Sequence, residues 1–197
     1  MRKNIAWIMI SLIGLFLFSG CGKEEIPTVS GITLNDDGAI EALIIDEFDE
    51  NVYSISGLNQ MIESEIAEYN IANGQGSVSL VGSQMIEGNV HVTMNYASVG
   101  DYSAFNNRRF EVESLDSAIS SSKLNVSFKS VKTGEQEDIK SLENTEKYSV
   151  IITDEAGRLV CPHKILFVSD GVETISSKEV LVTDNMDGLA YIIFSNK

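Results

Sequence analysis

Apolar and polar residues alternate along much of this chain, and the period changes from place to place. Gly31 to Leu34 and Ala39 to Ile45 are β-type runs flanking Asn35-Asp36-Asp37-Gly38, an Asx-rich turn closing on glycine, which predicts a hairpin. Between Ser56 and Ala72 the period lengthens. Leu58, Met61, Ile62, Ile66 and Tyr69 fall on one stripe of a 3.6-residue repeat, which predicts an amphipathic helix capped by Ser56 and ended at Gly74. Period-2 alternation returns at Val78 to Gly82 and, most strictly, at Val90, Val92, Met94 and Tyr96, with His91, Thr93 and Asn95 on the polar side. Tyr102 and Phe105 suggest a short helix capped by Asp101, Phe110 and Val112 a short strand, and Ser114 to Ile119 one or two helical turns. Leu124, Val126 and Phe128 predict another strand, whereas Thr133 to Lys147 is polar enough to read as an exposed loop. In the last third, Ser149–Thr153 and Arg158–Cys161 flank Asp154-Glu155-Ala156-Gly157. Likewise Glu179–Thr183 and Leu189–Phe194 flank Asp184-Asn185-Met186-Asp187-Gly188, and Ile165–Ser169 is an apolar run between these pairs.

Three segments thus share one plan: a β-type run, an acidic turn ending in glycine, and a second β-type run. Short connections join antiparallel strands, not parallel ones, so the expected class is α+β. The expected architecture is a mainly antiparallel sheet of several hairpins with one amphipathic helix packed on a face.

Charge narrows the function. Twenty-nine Asp and Glu against fourteen Lys and Arg give a net charge of −15 over 197 residues. A nucleic-acid phosphate backbone is held by surplus Lys and Arg, so a nucleic-acid partner is excluded. Two cysteines exclude a disulfide framework. The apolar content and 22% charged residues exclude a disordered acidic tail.

The first 21 residues, MRKNIAWIMISLIGLFLFSGC, have a separate logic. Arg2 and Lys3 precede an apolar run from Ile5 to Phe18, followed by Ser19, Gly20 and Cys21, the layout of a secretory signal. Two small residues directly before a cysteine resemble a bacterial lipobox, with Phe18 where leucine is usual. The resemblance implies that Cys21 receives a diacylglyceryl group and becomes the new N-terminus after cleavage. Three segments follow: a signal peptide over 1–20, a lipidated Cys21 with a short tether to residue 30, and a single acidic ectodomain over 31–197. Ile5 to Gly20 spans 16 residues, short of the roughly 20 needed to cross a bilayer. With its lipobox, tether and acidic α+β ectodomain, the chain resembles the small lipoproteins of Gram-positive bacteria, a likeness that brings no activity with it.

Candidate chemistry is sparse. Cys161-Pro162-His163 is the one place where a thiol and an imidazole sit close in sequence, but a metal site needs three or four ligands. The plainer reading is a small buried or half-buried thiol at a strand end beside an exposed histidine. His91 reads as a surface or cross-strand residue. The acidic clusters at Asp46–Glu50 and Asp184–Gly188 have oxygens for Ca²⁺ but not the ordered spacing of an EF-hand. No nucleophile elbow, P-loop or zinc-protease motif is present, and neither a catalytic residue nor a cofactor is expected. Tyr96, Tyr102, Phe105 and Phe110, beside Arg108 and Arg109, wall a ligand groove or, more plainly, pack as core between strand and helix. The leading expectation is a non-enzymatic protein held to the membrane by its lipid and binding a protein or small ligand at the cell surface. The alternatives are an extracytoplasmic hydrolase acting on cell-wall material and a Ca²⁺-dependent adhesive module.

Overall fold

The structure, a computed structural model, describes residues 26–183 and 188–197. The leader over 1–20, Cys21 and the acidic residues 184–187 lie outside the described residues. No helix among the described residues is long and apolar enough to cross a membrane.

Among the described residues thirteen strands form two sheets. They are β1 (Gly31–Leu34), β2 (Ile40–Glu47), β3 (Val78–Ile86), β4 (Asn89–Tyr96), β5 (Phe110–Ser114), β6 (Phe128–Ser130), β7 (Gln136–Glu137), β8 (Tyr148–Thr153), β9 (Gly157–Val160), β10 (Ile165–Ser169), β11 (Val172–Thr174), β12 (Glu179–Val182) and β13 (Ala190–Ser195). The first sheet has the order β11-β12-β9-β1-β2-β4-β3 and the second β5-β8-β13-β10-β6-β7. Every pair is antiparallel except β1 with β9.

One apolar cluster fills the space between the sheets. Ile32, Leu34, Ile40, Val92 and Met94 enter it from the first sheet, and Phe110, Ile151, Ile165, Ile192 and Phe194 from the second. The second sheet is buried on its other face too. There Val150, Ile152, Tyr191 and Ile193 meet Leu115, Ala118, Leu124 and Ile139. Strands β8 and β13 therefore lie inside on both faces, which explains their unbroken apolar runs where period-2 alternation would mark a half-buried strand.

Among the described residues two sheets stand where the pattern suggested one, and the expected amphipathic helix, short helix near Asp101 and helical turns over Ser114–Ile119 appear as three helices. They are α1 (Ile55–Asn73), α2 (Val99–Asn106) and α3 (Leu115–Ser120). Helix α1 lays Leu58, Ile62, Ile66 and Tyr69 against the inter-sheet cluster, yet none of its residues is fully buried. Its cap is Ser54, not Ser56: the Ser54 hydroxyl accepts from the Gly57 N–H at 3.1 Å. The Asn70 side-chain amide donates to the Val78 carbonyl at 2.9 Å and accepts from the Val78 N–H at 3.0 Å, occupying the open edge of β3 as a neighbouring strand would. Helix α2 is capped by Ser98 in place of Asp101. The Ser98 hydroxyl accepts from the Asp101 N–H and donates to the Asp101 carboxylate at 2.6 Å.

Only the first of the three acidic glycine turns makes a hairpin. Asn35–Gly38 joins β1 to β2 within one sheet. Asp154–Gly157 instead carries the chain from β8 in the second sheet to β9 in the first, and the segment after β12 carries it back to β13. Gly157 has a φ of +126° and packs on the Ser30 carbonyl, which accepts the Arg158 N–H at 2.9 Å. Ser30 is fixed a second time, because its hydroxyl accepts from the Ile45 N–H at 2.9 Å. The residues preceding β1 are thus tied to both of its neighbours, β2 and β9.

Two further expectations change. Leu124 to Ser127 is not a strand: Ser122 takes a positive φ, Leu124 is buried under the second sheet, and only Phe128–Ser130 pairs. The polar stretch Thr133–Lys147 is not wholly an exposed loop, because Ile139 inserts into the cluster below the second sheet.

Candidate functional site

A concavity with apolar walls, open to solvent, lies where β2 ends and α1 begins. The backbone there is set by Asp49. Its carboxylate accepts from the Asn51 N–H and side-chain amide, both at 2.9 Å, and its carbonyl accepts from the N–H groups of Val52 and Tyr53. This tight turn pushes Val52 and Tyr53 outward before Ser54 starts the helix. Across from it, Glu87 and Gly88 both take positive φ and close the β3–β4 hairpin, and the Gly88 carbonyl accepts from the Phe48 N–H at 3.4 Å.

The result is a groove of about 820 Å³ with Phe48, Tyr53, Leu58 and Met61 on its apolar walls and Glu47, Asp49 and Glu87 around it. The Phe48 and Tyr53 rings stand 6.0 Å apart, tilted by 48°. Tyr53 is 64% and Met61 56% exposed, large values for such side chains. Its spacing alone puts Met61 on the buried stripe of the helix. It lies off that stripe and faces the groove. Among the described residues, Glu47, Asp49 and Glu87 have no ion-pair partner. Also among the described residues, no three His, Cys, Asp or Glu side chains converge to hold a metal ion.

The aromatic set expected as core or groove wall is brought together, and it lies in the core. Tyr96 is 1% and Tyr102 3% exposed, Phe110 is buried, and Phe105 is half-buried against them. The Tyr96 and Tyr102 rings meet edge to face at 5.0 Å, and Tyr102 meets Phe110 at 5.4 Å. The Tyr96 hydroxyl donates to Asn106 at 3.3 Å. Burial, and then the neighbouring Glu155 carboxylate, push the Tyr102 hydroxyl far above the ordinary tyrosine range. Glu155 Oε2 is itself buried with no hydrogen-bond partner among the described residues. Arg108 and Arg109 stay at the surface between α2 and β5, where Arg109 pairs with Glu111 at 2.8 Å.

Cys161 and His163 share no site. The thiol is 1% exposed and pushed up to about 12 by burial, while the His163 imidazole pairs with Asp36 at 2.8 Å. His91 is buried, not at the surface, with Ile45 and Gln84 as its cross-strand neighbours in the middle of the first sheet.

The groove joins residues some forty positions apart, from Glu47 to Asn89, and no local motif marks it. The available signal is compositional. Phe48, Val52 and Tyr53 interrupt an acidic stretch where a solvated loop would carry none of them. No protein-family model, curated protein or solved structure matches the chain.

Proposed function

We propose that this chain is a lipid-anchored, extracytoplasmic, non-enzymatic protein whose ectodomain binds a polypeptide or small ligand in the groove between β2 and α1. The location rests on the leader and on Cys21, ten residues before the first strand. Lipidation of Cys21 would leave Cys161 as the sole thiol. A cysteine that is buried and held protonated suits an oxidising compartment, because the thiolate is the reactive form. The binding role is carried by one observation: aromatic and methionine side chains stand exposed together in a concave site.

Cell fractionation tests the anchor. Wild-type protein is expected in the membrane fraction, released only by detergent, and Cys21→Ala is expected to leave that fraction. A cleaved Cys21→Ala protein that still sediments with membranes would refute lipid anchoring.

A further inference from the structure

Resting on the groove as a binding site, we propose that its occupant is a cationic amphipathic polypeptide segment, an aromatic or aliphatic anchor flanked by Lys or Arg. The apolar part follows from the walls. Tyr53 and Met61 offer a rigid aromatic face and an adaptable thioether, the side chains that serve binding surfaces best.

The sign of the partner follows from charge. Residues 24–107 contain fourteen Asp and Glu and no Lys or Arg; residues 108–197 contain fifteen and eleven. Fourteen of the eighteen excess negative charges over residues 24–197 therefore belong to the half of the chain that builds β1 to β4, α1 and α2, and the groove lies within it. The rim carboxylates of Glu47, Asp49 and Glu87 are unpaired among the described residues, and no three acidic side chains there converge as a chelating set. Separated carboxylates set up a field over the groove, which favours several cationic charges spread along a chain over one compact ion. An anionic or neutral apolar segment would meet the same walls without that attraction.

The test uses the whole chain in nanodiscs of zwitterionic lipid, with empty nanodiscs as reference. Four probes are compared: a synthetic peptide of Lys, Leu and Trp in amphipathic order, its Glu-for-Lys and Gln-for-Lys counterparts, and spermine. Affinity is read by calorimetry, and the methyl resonance of Met61 reports occupancy of the groove. The Lys peptide is expected to shift that resonance and to bind at least tenfold more tightly than the Gln peptide, with no binding of the Glu peptide. Raising salt from 0.1 to 1 M shortens the Debye length from about 10 Å to about 3 Å and is expected to weaken binding tenfold or more. The double variant Tyr53→Ser, Met61→Ser is expected to lose at least tenfold, and Glu47→Gln with Glu87→Gln about threefold, circular dichroism confirming that each is folded.

Equal affinity for the Lys and Gln peptides, with Met61 responding to both, overturns the cationic specificity and leaves the groove as a binding site. Spermine matching the Lys peptide would also overturn the proposal, since the walls would then contribute nothing. If Met61 responds to no probe, both the occupant and the groove itself are refuted.

Discussion

Gly157 stands where the chain leaves the second sheet and enters the first, and its replacement by alanine tests whether that crossing is as tight as it looks. Its φ of +126° is one that L side chains rarely adopt, which alone costs about 1–3 kcal/mol. A Cβ at this position would also lie 2.6 Å from the Ser30 carbonyl oxygen. That oxygen belongs to backbone and accepts the Arg158 N–H, so it cannot turn aside as a side chain would. Parting β1 from β9 to relieve the overlap adds about 1–3 kcal/mol, the usual cost of overpacking. Gly38, in the β1–β2 turn, provides the control. It also has a positive φ, +84°, but a Cβ there would meet nothing within 4 Å. Gly38→Ala therefore carries the backbone cost without the collision, and the loss of unfolded-state freedom is common to both variants. For a chain of this size each kcal/mol moves Tm by about 2–4 °C, so Gly157→Ala is expected to melt about 2–12 °C below Gly38→Ala. The assay is thermal unfolding followed by circular dichroism. Equal melting temperatures for the two variants would refute the close approach of Ser30 to Gly157 and with it the parallel junction.

Three further outcomes are expected. Asn70→Ala removes both hydrogen bonds that cover the end of β3 and should cost about 1–3 kcal/mol in urea unfolding, with an unchanged slope. In a Cys21→Ser background, Cys161 should resist a thiol reagent at pH 8 while the protein is folded and react promptly in denaturant, as its burial requires. Tyr102 is held neutral by burial and by Glu155, so its hydroxyl ionises at a higher pH in the folded state than its unfolded value of 10.0. The stability this contributes is complete below pH 10 and is lost as pH rises beyond it. Absorbance at 295 nm should therefore show a set of tyrosines ionising only together with alkaline unfolding, and Tyr102→Phe should move that transition upward.

Much of the strand content could be read from the residues, whereas the arrangement of the strands could not. The Asn35–Gly38 hairpin was legible because its turn chemistry and both flanking runs are local. Asp154–Gly157 has the same acidic, glycine-ended pattern, yet it connects different sheets. A glycine with positive φ serves a hairpin and a crossover equally well, and the choice is made by Ser30, more than a hundred residues away. His91, read as a surface or cross-strand residue, is a cross-strand one, and its burial was hidden from the sequence for a similar reason. Alternation correctly assigned it to the face opposite Val90 and Val92, but its flanking residues, Ile45 and Gln84, are set by how distant strands pair. The helix over 55–73 was legible from its period. Its ends moved by a residue or so because Ser54 and Ser56 both suit a cap, and the backbone at Ser54 is the extended one. Beyond the apolar residues that interrupt the acidic stretch at 46–53, the groove was not legible, since Phe48, Met61 and Glu87 meet only once the β3–β4 hairpin folds beside the start of α1.

Ser30 is clamped to Ile45, and two residues further along the same strand Glu47 begins the groove. The root of the stalk and the mouth of the binding site therefore lie at one end of the molecule, about 7 Å apart along β2 at roughly 3.4 Å per residue. From Gly22 to Ser30 the stalk has nine residues, a reach of about 30 Å at full stretch. On the proposed anchor the mouth cannot rise far from the lipid surface. On that proposal a guest would meet the mouth within a layer as thick as a small folded domain is wide, roughly 30 Å.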